Sequence, residues 1–226
     1  MQMVKCVVFD FDGTLVDSNS IKREAFFEIA QPWDPSRSIV DDVLVRWPEA
    51  NRYEKARRIA EGLIHQGLLP TDASIEDWST RLAEDYTARC ETAIARCPVM
   101  PGADEMLTEL SGMELQLFVN SATPLKPLQR LLSLRNWDNI FQAAYGAEDP
   151  KADNLIQIAR QTGATPGEIV HVGDQLDDQR GAKQSGCRFI AMLADRAASS
   201  ITDEALFIED LRQLPPLLKR IFGEAL

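Results

Sequence analysis

Nothing in this chain pairs its cysteines. Cys6, Cys90, Cys97 and Cys187 include no C-x-x-C spacing, and the 2 histidines cannot complete a cysteine–histidine zinc site at a recognised spacing. The thiols read as reduced and structural, in a cytoplasmic protein. Cys90 and Cys97 are expected to share one helix face, with Cα atoms about 10 Å apart along the axis, too far for a disulfide. Cations are the second scarcity: 24 lysines and arginines stand against 35 aspartates and glutamates, a net charge of −11. That balance repels nucleic acid and anionic membranes, so neither is expected as a partner. An anionic ligand would need a locally positive site, such as a metal ion plus a lysine. Long apolar runs are missing too. The N-terminal MQMVKCVVFDFDGT holds one lysine and a short apolar run cut off by aspartates, too short and too charged for a leader or a membrane span, and reads as a buried strand. There is no internal repeat and no low-complexity segment. What remains, 45% hydrophobic and 26% charged over 226 residues, suits one sizeable globular domain or a core with a smaller insert.

Val4 to Phe9 is a continuous β-rich apolar run, as a strand buried on both faces of a parallel sheet requires. From about Ser20 to Arg96 strand-like runs disappear and apolar residues recur at helical spacing, most clearly over Asn51 to Gln66 and Ile75 to Ala95. Pro98, Pro101 and Gly102 close that region. Alternation then returns: helix over Ala103–Leu110, strand over Leu115–Val119, helix from Pro124 to Leu134, short strand over Phe141–Tyr145, helix over Ala152–Thr162, strand over Ile169–Val172, helix from Asp177 to Ser185 ended by Gly186, and strand over Phe189–Leu193. Strands alternating with helices predict an α/β fold, a doubly wound Rossmann-like parallel sheet with an inserted all-helical domain. The expected division is a core of residues 1–16 and 100–226 and an insert of residues 17–99.

Ligands of an open parallel sheet bind beyond the carboxyl ends of its strands. Three strand ends here are polar: Asp10-Phe11-Asp12-Gly13-Thr14, Asn120-Ser121-Ala122-Thr123 and Gly173-Asp174-Gln175-Leu176-Asp177-Asp178, with Lys151 opening the helix before the last strand. In Asp-x-Asp the central Phe11 points away, so Asp10 and Asp12 face one crevice. DFDGT, VNSAT, Lys151 and GDQLDD, in that order, resemble the four motifs of the haloacid dehalogenase-like superfamily, in its capped subgroup of phosphoglycolate phosphatases and beta-phosphoglucomutase-like proteins. The matching core covers most of the chain. The resemblance implies a phosphatase acting on a small phosphorylated metabolite. Asp10 would attack phosphorus and form an aspartyl-phosphate. Asp12 would protonate the leaving oxygen and then deprotonate the hydrolytic water, which requires a pKa above the usual carboxylate value of about 3.9 when substrate is bound. Mg²⁺ is the implied cofactor, because carboxylates, a carbonyl, phosphate and water suit a hard cation. Its ligands would be the Asp10 carboxylate, the Asp12 backbone carbonyl and Asp174, with Asp178 reaching it through water or orienting the others. Ser121 and the Ala122 amide would hold the phosphoryl oxygens beside Gly13 and Thr14, and Lys151 would neutralise Asp10 and the phosphoryl group.

The resemblance also separates the alternatives. Dehalogenases lack an acid at the position of Asp12, and phosphonatases usually differ there, so Asp12 favours phosphate esters. A sugar-phosphate mutase would share the aspartate pair but often carries Gly-Val where this chain has Gly13-Thr14. A non-catalytic module that binds a phospho-ligand or a protein would not need a nucleophile. Other residues have plainer readings. His171 reads as a packed core histidine and Asp177 as a helix cap. Trp47, Trp78 and Tyr86 read as packing residues of the insert. The cluster Arg52, Lys55, Arg57, Arg58 reads either as a salt-bridged solvated face or as the place where Arg52 or Lys55 meets a second anionic group of the substrate. Lys22, at the start of the insert, stands with Arg52 as a candidate for that contact.

Overall fold

The computed structural model describes residues 3–70, 72–193, 201 and 206–223. Contacts divide the chain into two compact units, Met1–Asp17 with Cys97–Leu226, and Ser18–Arg96. The first unit is built on a six-stranded sheet in the order β3-β2-β1-β4-β5-β6, comprising β1 (Cys6–Phe9), β2 (Gln116–Asn120), β3 (Ala143–Tyr145), β4 (Ile169–Gly173), β5 (Arg188–Met192) and β6 (Leu206–Ile208). Every neighbouring pair is parallel. The helices of this unit are α5 (Ala103–Ser111), α6 (Leu125–Leu134), α7 (Lys151–Thr162), α8 (Leu176–Ser185) and α9 (Leu214–Phe222). This is the doubly wound α/β architecture expected from the alternation of elements.

The sequence explains the placement. All four residues of β1 are buried, so this strand lies at the centre, between β2 and β4. Cys6, Val8, Phe118, Leu155, Ile158 and Ile169 meet in one cluster, the first three from β1 and β2 and the next two from α7. Burying one such side chain fully contributes about 1.5–3 kcal/mol. The register pairs Phe9 with Val119 on one side and with Val172 on the other. Asp10, Ser121 and Asp174, each one or two residues further on, therefore emerge at one edge of the sheet. Strand order reverses beside β1, which is where ligands of such sheets bind.

The second unit consists of α1 (Asn19–Ala30), α2 (Ser38–Arg46), α3 (Arg52–His65) and α4 (Ile75–Ile94). Side chains cap the starts of α2, α3 and α4. Asn51 accepts the Glu54 N–H at 3.0 Å, Ser74 accepts the Asp77 N–H at 3.2 Å, and buried Asp34 accepts three N–H groups at the start of α2. Tyr86 stacks on Phe26 with ring centroids 4.1 Å apart, and Trp78 meets Trp33 edge-on, so both are packing residues as expected. Trp47 lies under the Arg58 guanidinium.

Three expectations are corrected. Cys97 lies beyond the end of α4, so it does not share a helix face with Cys90; all four cysteines are free and buried. Pro124 precedes α6 as its cap residue instead of opening its first turn. Helix α8 begins at Leu176, and the side chain that accepts the N–H of its cap residue Gln175 is Asp178, not Asp177, which is exposed. Among the described residues no helix is long and apolar enough to cross a membrane.

Candidate active site

Asp10 leaves the end of β1 with its N–H donating to the Val172 carbonyl at 2.8 Å, and its side chain is buried. The chain then turns tightly. The Gly13 N–H donates to the Val16 carbonyl at 2.8 Å, and Gly13 takes φ +79°, a left-handed conformation that glycine adopts without strain. Phe11 is fully buried against Trp137, which leaves Asp10 and Asp12 to the opposite, polar side. From the end of β2, Thr123 Oγ1 donates to Asp12 Oδ2 at 2.8 Å, and Ser121 Oγ lies 3.5 Å from the same oxygen. Ala122 is exposed between them. Thr14 Oγ1 donates to Asp174 Oδ1 at 3.2 Å, tying the first strand end to the third.

Lys151 is the first residue of α7 and is buried. A polar latch sets its backbone: Asn120 Nδ2 donates to the Lys151 carbonyl at 3.1 Å, and Asn154 Nδ2 donates to Asn120 Oδ1 at 3.0 Å. Its ammonium lies 2.5 Å from Asp178 Oδ1 and 3.1 Å from Asp10 Oδ1. The contact with Asp10 is an ion pair without hydrogen-bond geometry, so Asp10 Oδ1 is a buried oxygen that accepts no hydrogen bond. Such an orphaned carboxylate oxygen is costly unless another group meets it. Asp10, Asp174 and Asp178 each offer one oxygen, and these all lie within 4.8 Å of one another. An all-carboxylate set with an unsatisfied buried member suits a hard divalent cation such as Mg²⁺.

The electrostatics agree. Burial, reinforced by Asp178, Asp174 and Asp12 and opposed by Lys151, raises the Asp10 pKa well above the ordinary aspartate value. Burial alone would push Lys151 down, but the carboxylates of Asp10 and Asp178 outweigh it and hold the ammonium charged. For Asp178 burial works upward, yet Lys151 and His171 lower its pKa to about 2. Lys151 and Asp178 are thus a fixed ion pair, and Asp10 is the carboxylate left in need of positive charge.

Asp10, Asp12, Thr14, Ser121, Lys151, Asp174 and Asp178 are brought together as the motifs require. Lys22 and Arg52 belong to the helical unit. Lys22 lies on the first turn of α1, and Arg52 is buried, donating to Thr87 Oγ1 at 3.3 Å with its guanidinium over the Tyr86 ring. Arg57 and Arg58 make i,i+4 ion pairs with Glu61 and Glu54, so the salt-bridged reading describes those two residues, while Lys55 donates to the Pro48 carbonyl. Thr123 and His171 contact site carboxylates without having been singled out for it. The available signals were a second hydroxyl two residues after Ser121 and a polar residue in the middle of a buried strand, which must find partners.

A model of the haloacid dehalogenase-like hydrolase family matches residues 4–186, and the chain belongs to that family. Curated relatives that it resembles are named phosphatases. It is 27% identical over 229 residues to a phosphoglycolate phosphatase of Pseudomonas syringae, covering 95% of this chain and 80% of that protein. It is 26% identical over 196 residues to a glyceraldehyde 3-phosphate phosphatase of Methanopyrus kandleri, covering 81% and 82%. Among solved structures, CbbY of Rhodobacter sphaeroides in complex with xylulose 1,5-bisphosphate superposes with a TM-score of 0.70 over 94% of this chain and 96% of that one, at 23% identity.

Proposed function

We propose that this chain hydrolyses a small phosphorylated metabolite, of the phosphoglycolate or sugar-phosphate type, through an aspartyl-phosphate on Asp10 with Mg²⁺ as cofactor. The observation that carries the reading is the buried Asp10 carboxylate, with one oxygen accepting no hydrogen bond, at the end of the central strand beside a charged lysine. Asp10 attacks phosphorus, and Lys151 offsets the charge of nucleophile and phosphoryl group. Asp12, oriented by Thr123 and Ser121, gives its proton to the leaving oxygen and takes one from the water that hydrolyses the intermediate. Ser121 and the Ala122 amide hold the phosphoryl oxygens, with Gly13 and Thr14 shaping that cradle. Mg²⁺ would be held by Asp10, the Asp12 carbonyl and Asp174, with Asp178 behind them, and when bound supplies charge neutralisation between carboxylates and phosphate. Four free, buried thiols support a cytoplasmic setting.

The first experiment is metal removal. Chelation with EDTA followed by desalting should reduce p-nitrophenyl phosphate turnover to background, Mg²⁺ should restore it, and Ca²⁺ should restore it poorly, because Ca²⁺ favours more ligands and longer bonds. Full activity in the chelated sample would sink the metal assignment. A panel of phosphoglycolate, triose, pentose and hexose phosphates and nucleoside monophosphates then ranks substrates by kcat/KM.

The helical insert, residues 17–99, would act as the cap that selects the substrate, the core being residues 1–16 and 100–226. The family resemblance and the acidity of the rest of the chain support Lys22 and Arg52 as its cations for the substrate's second anionic group. Lys22→Ala should lower kcat/KM for the preferred panel substrate about tenfold to hundredfold while changing p-nitrophenyl phosphate less than twofold, since losing one charged contact costs about 1.5–3 kcal/mol. An equal loss on both substrates would remove Lys22 from that role.

A further inference from the structure

One buried titratable side chain takes no part in the chemistry above. His171 sits in the middle of β4, fully buried, its ring 6.3 Å from that of Phe189. Packing alone does not account for it: an apolar residue would fill a strand buried on both faces, and a polar ring there needs partners. It has two. His171 Nδ1 lies 3.1 Å from the Val8 carbonyl, and Nε2 lies 2.9 Å from Asp178 Oδ1. Val8 is paired with His171 across β1 and β4, two residues before Asp10, so the ring is anchored to the strand that carries the nucleophile.

The Asp178 oxygen that meets His171 also accepts from Lys151 Nζ at 2.5 Å, and Lys151 Nζ lies 3.1 Å from Asp10 Oδ1. The other Asp178 oxygen accepts the Gln175 N–H at 3.1 Å. Gly173 lets this carboxylate approach so closely; a Cβ at that position would overlap the Asp178 carboxyl group. Three groups therefore meet the Asp178 carboxylate and fix its orientation, and two of them are rigid, a backbone N–H and a ring anchored to β1. Lys151 is the long, flexible member. Without His171 the carboxylate oxygen facing Lys151 loses its rigid partner.

We propose that His171 is a positioning residue that holds Asp178 so that Asp178 presents the Lys151 ammonium to Asp10. The chain of contacts runs from the Val8 carbonyl through His171, Asp178 and Lys151 to Asp10. The role in turnover rests on the reading of Asp10 as nucleophile. Partners of this outer kind, when lost, typically cost about tenfold to hundredfold in activity.

Two amide variants separate the two nitrogens of the ring. In His171→Gln the side-chain amide reaches the place of Nε2 and still donates to Asp178; in His171→Asn it reaches only the place of Nδ1, toward Val8. With full-length protein, Mg²⁺ and p-nitrophenyl phosphate, the Gln variant should keep kcat within about threefold, and the Asn variant should lose about tenfold or more. KM should stay within twofold in both, and the two melting temperatures should agree. In an Asp178→Asn background the difference between Gln and Asn should vanish, since the effect travels through Asp178. Equal kcat losses that follow the melting temperatures would make His171 a structural residue and overturn the proposal. Crystal structures of the two variants decide the same point without turnover: Lys151 Nζ should remain beside Asp10 in the Gln variant and withdraw in the Asn variant, and an unmoved lysine in both would overturn it. If neither variant folds, a crystal structure of the wild type with beryllium fluoride and Mg²⁺ decides: His171 still bonded to Asp178 and Lys151 still beside Asp10 supports the proposal, and Asp178 turned away from His171 refutes it. A wild type that hydrolyses no phosphate ester fails the proposed function instead, and the variant structures still test the positioning.

Discussion

Asp10→Asn is expected to reduce turnover of every phosphate ester by roughly 10⁴-fold or more, the scale seen when an enzyme loses the nucleophile of a concerted site. A neutral amide is a poor nucleophile and cannot carry the covalent phosphoryl group. The same change should leave the melting temperature equal to the wild type or a few degrees higher in metal-free buffer. Asp10 is buried among Asp12, Asp174 and Asp178, and its folded-state pKa lies well above the ordinary aspartate value despite Lys151. The sign follows from linkage. At low pH the carboxyl is protonated in both states and contributes no penalty. As pH rises through the unfolded value of about 3.9, the unfolded chain releases its proton first and folding loses stability, until the loss levels off above the folded pKa. The stability gap between Asn variant and wild type should therefore open with rising pH, and Mg²⁺ should narrow it by stabilising the wild type. Calorimetric melting between pH 4 and 8, with EDTA or Mg²⁺, checks this together with activity assays. Wild-type turnover in the Asn variant would end the covalent mechanism. A large fall in its melting temperature would mean that Asp10 supports the fold.

The parts of the site that could be read from the chain are those whose chemistry is local. DFDGT follows a wholly apolar strand, and β1 lies at the sheet centre because all four of its residues are buried. From there the parallel register carries Ser121 and Asp174 to the same edge without further information. What stayed hidden depends on which strands are neighbours. His171 became a partner of Asp178 only through the pairing of β4 with β1, and Thr123 a partner of Asp12 only through the turn after β2. The short β6 and the helix α9 escaped for different reasons. Leu206–Ile208 is too brief to show a period, and the first turn of α9 holds Pro215 and Pro216, residues that usually interrupt a helical pattern although a helix accepts proline in its first turn. A separation of seven puts Cys97 on the face of Cys90 only where the helix continues, and it ends at Ile94.

Asp12→Asn should divide substrates by their leaving groups. The amide is close in size to the carboxylate and can still accept the Thr123 hydroxyl, so the turn after β1 should keep its shape. It cannot donate a transferable proton. An alkyl phosphate leaves as a basic alkoxide and needs that proton, so its phosphorylation step should slow by about 10²–10⁴-fold, the usual contribution of general acid catalysis. A p-nitrophenolate leaves with little help, and its phosphorylation step should slow less than about tenfold. Dephosphorylation needs a base for the attacking water whatever the leaving group was, so it should slow equally after both substrates. With p-nitrophenyl phosphate the variant should therefore release one equivalent of nitrophenolate in a burst and then turn over slowly, with phosphoenzyme accumulating. With an alkyl phosphate no burst should appear. Quenched-flow single-turnover measurements on both substrates, with acid-trapped phosphoenzyme as the second readout, separate the two steps. Equal slowing of the phosphorylation step for both leaving groups would take Asp12 out of the acid role. Thr123 would then be read as bracing a carboxylate that only orders the turn beside Asp10.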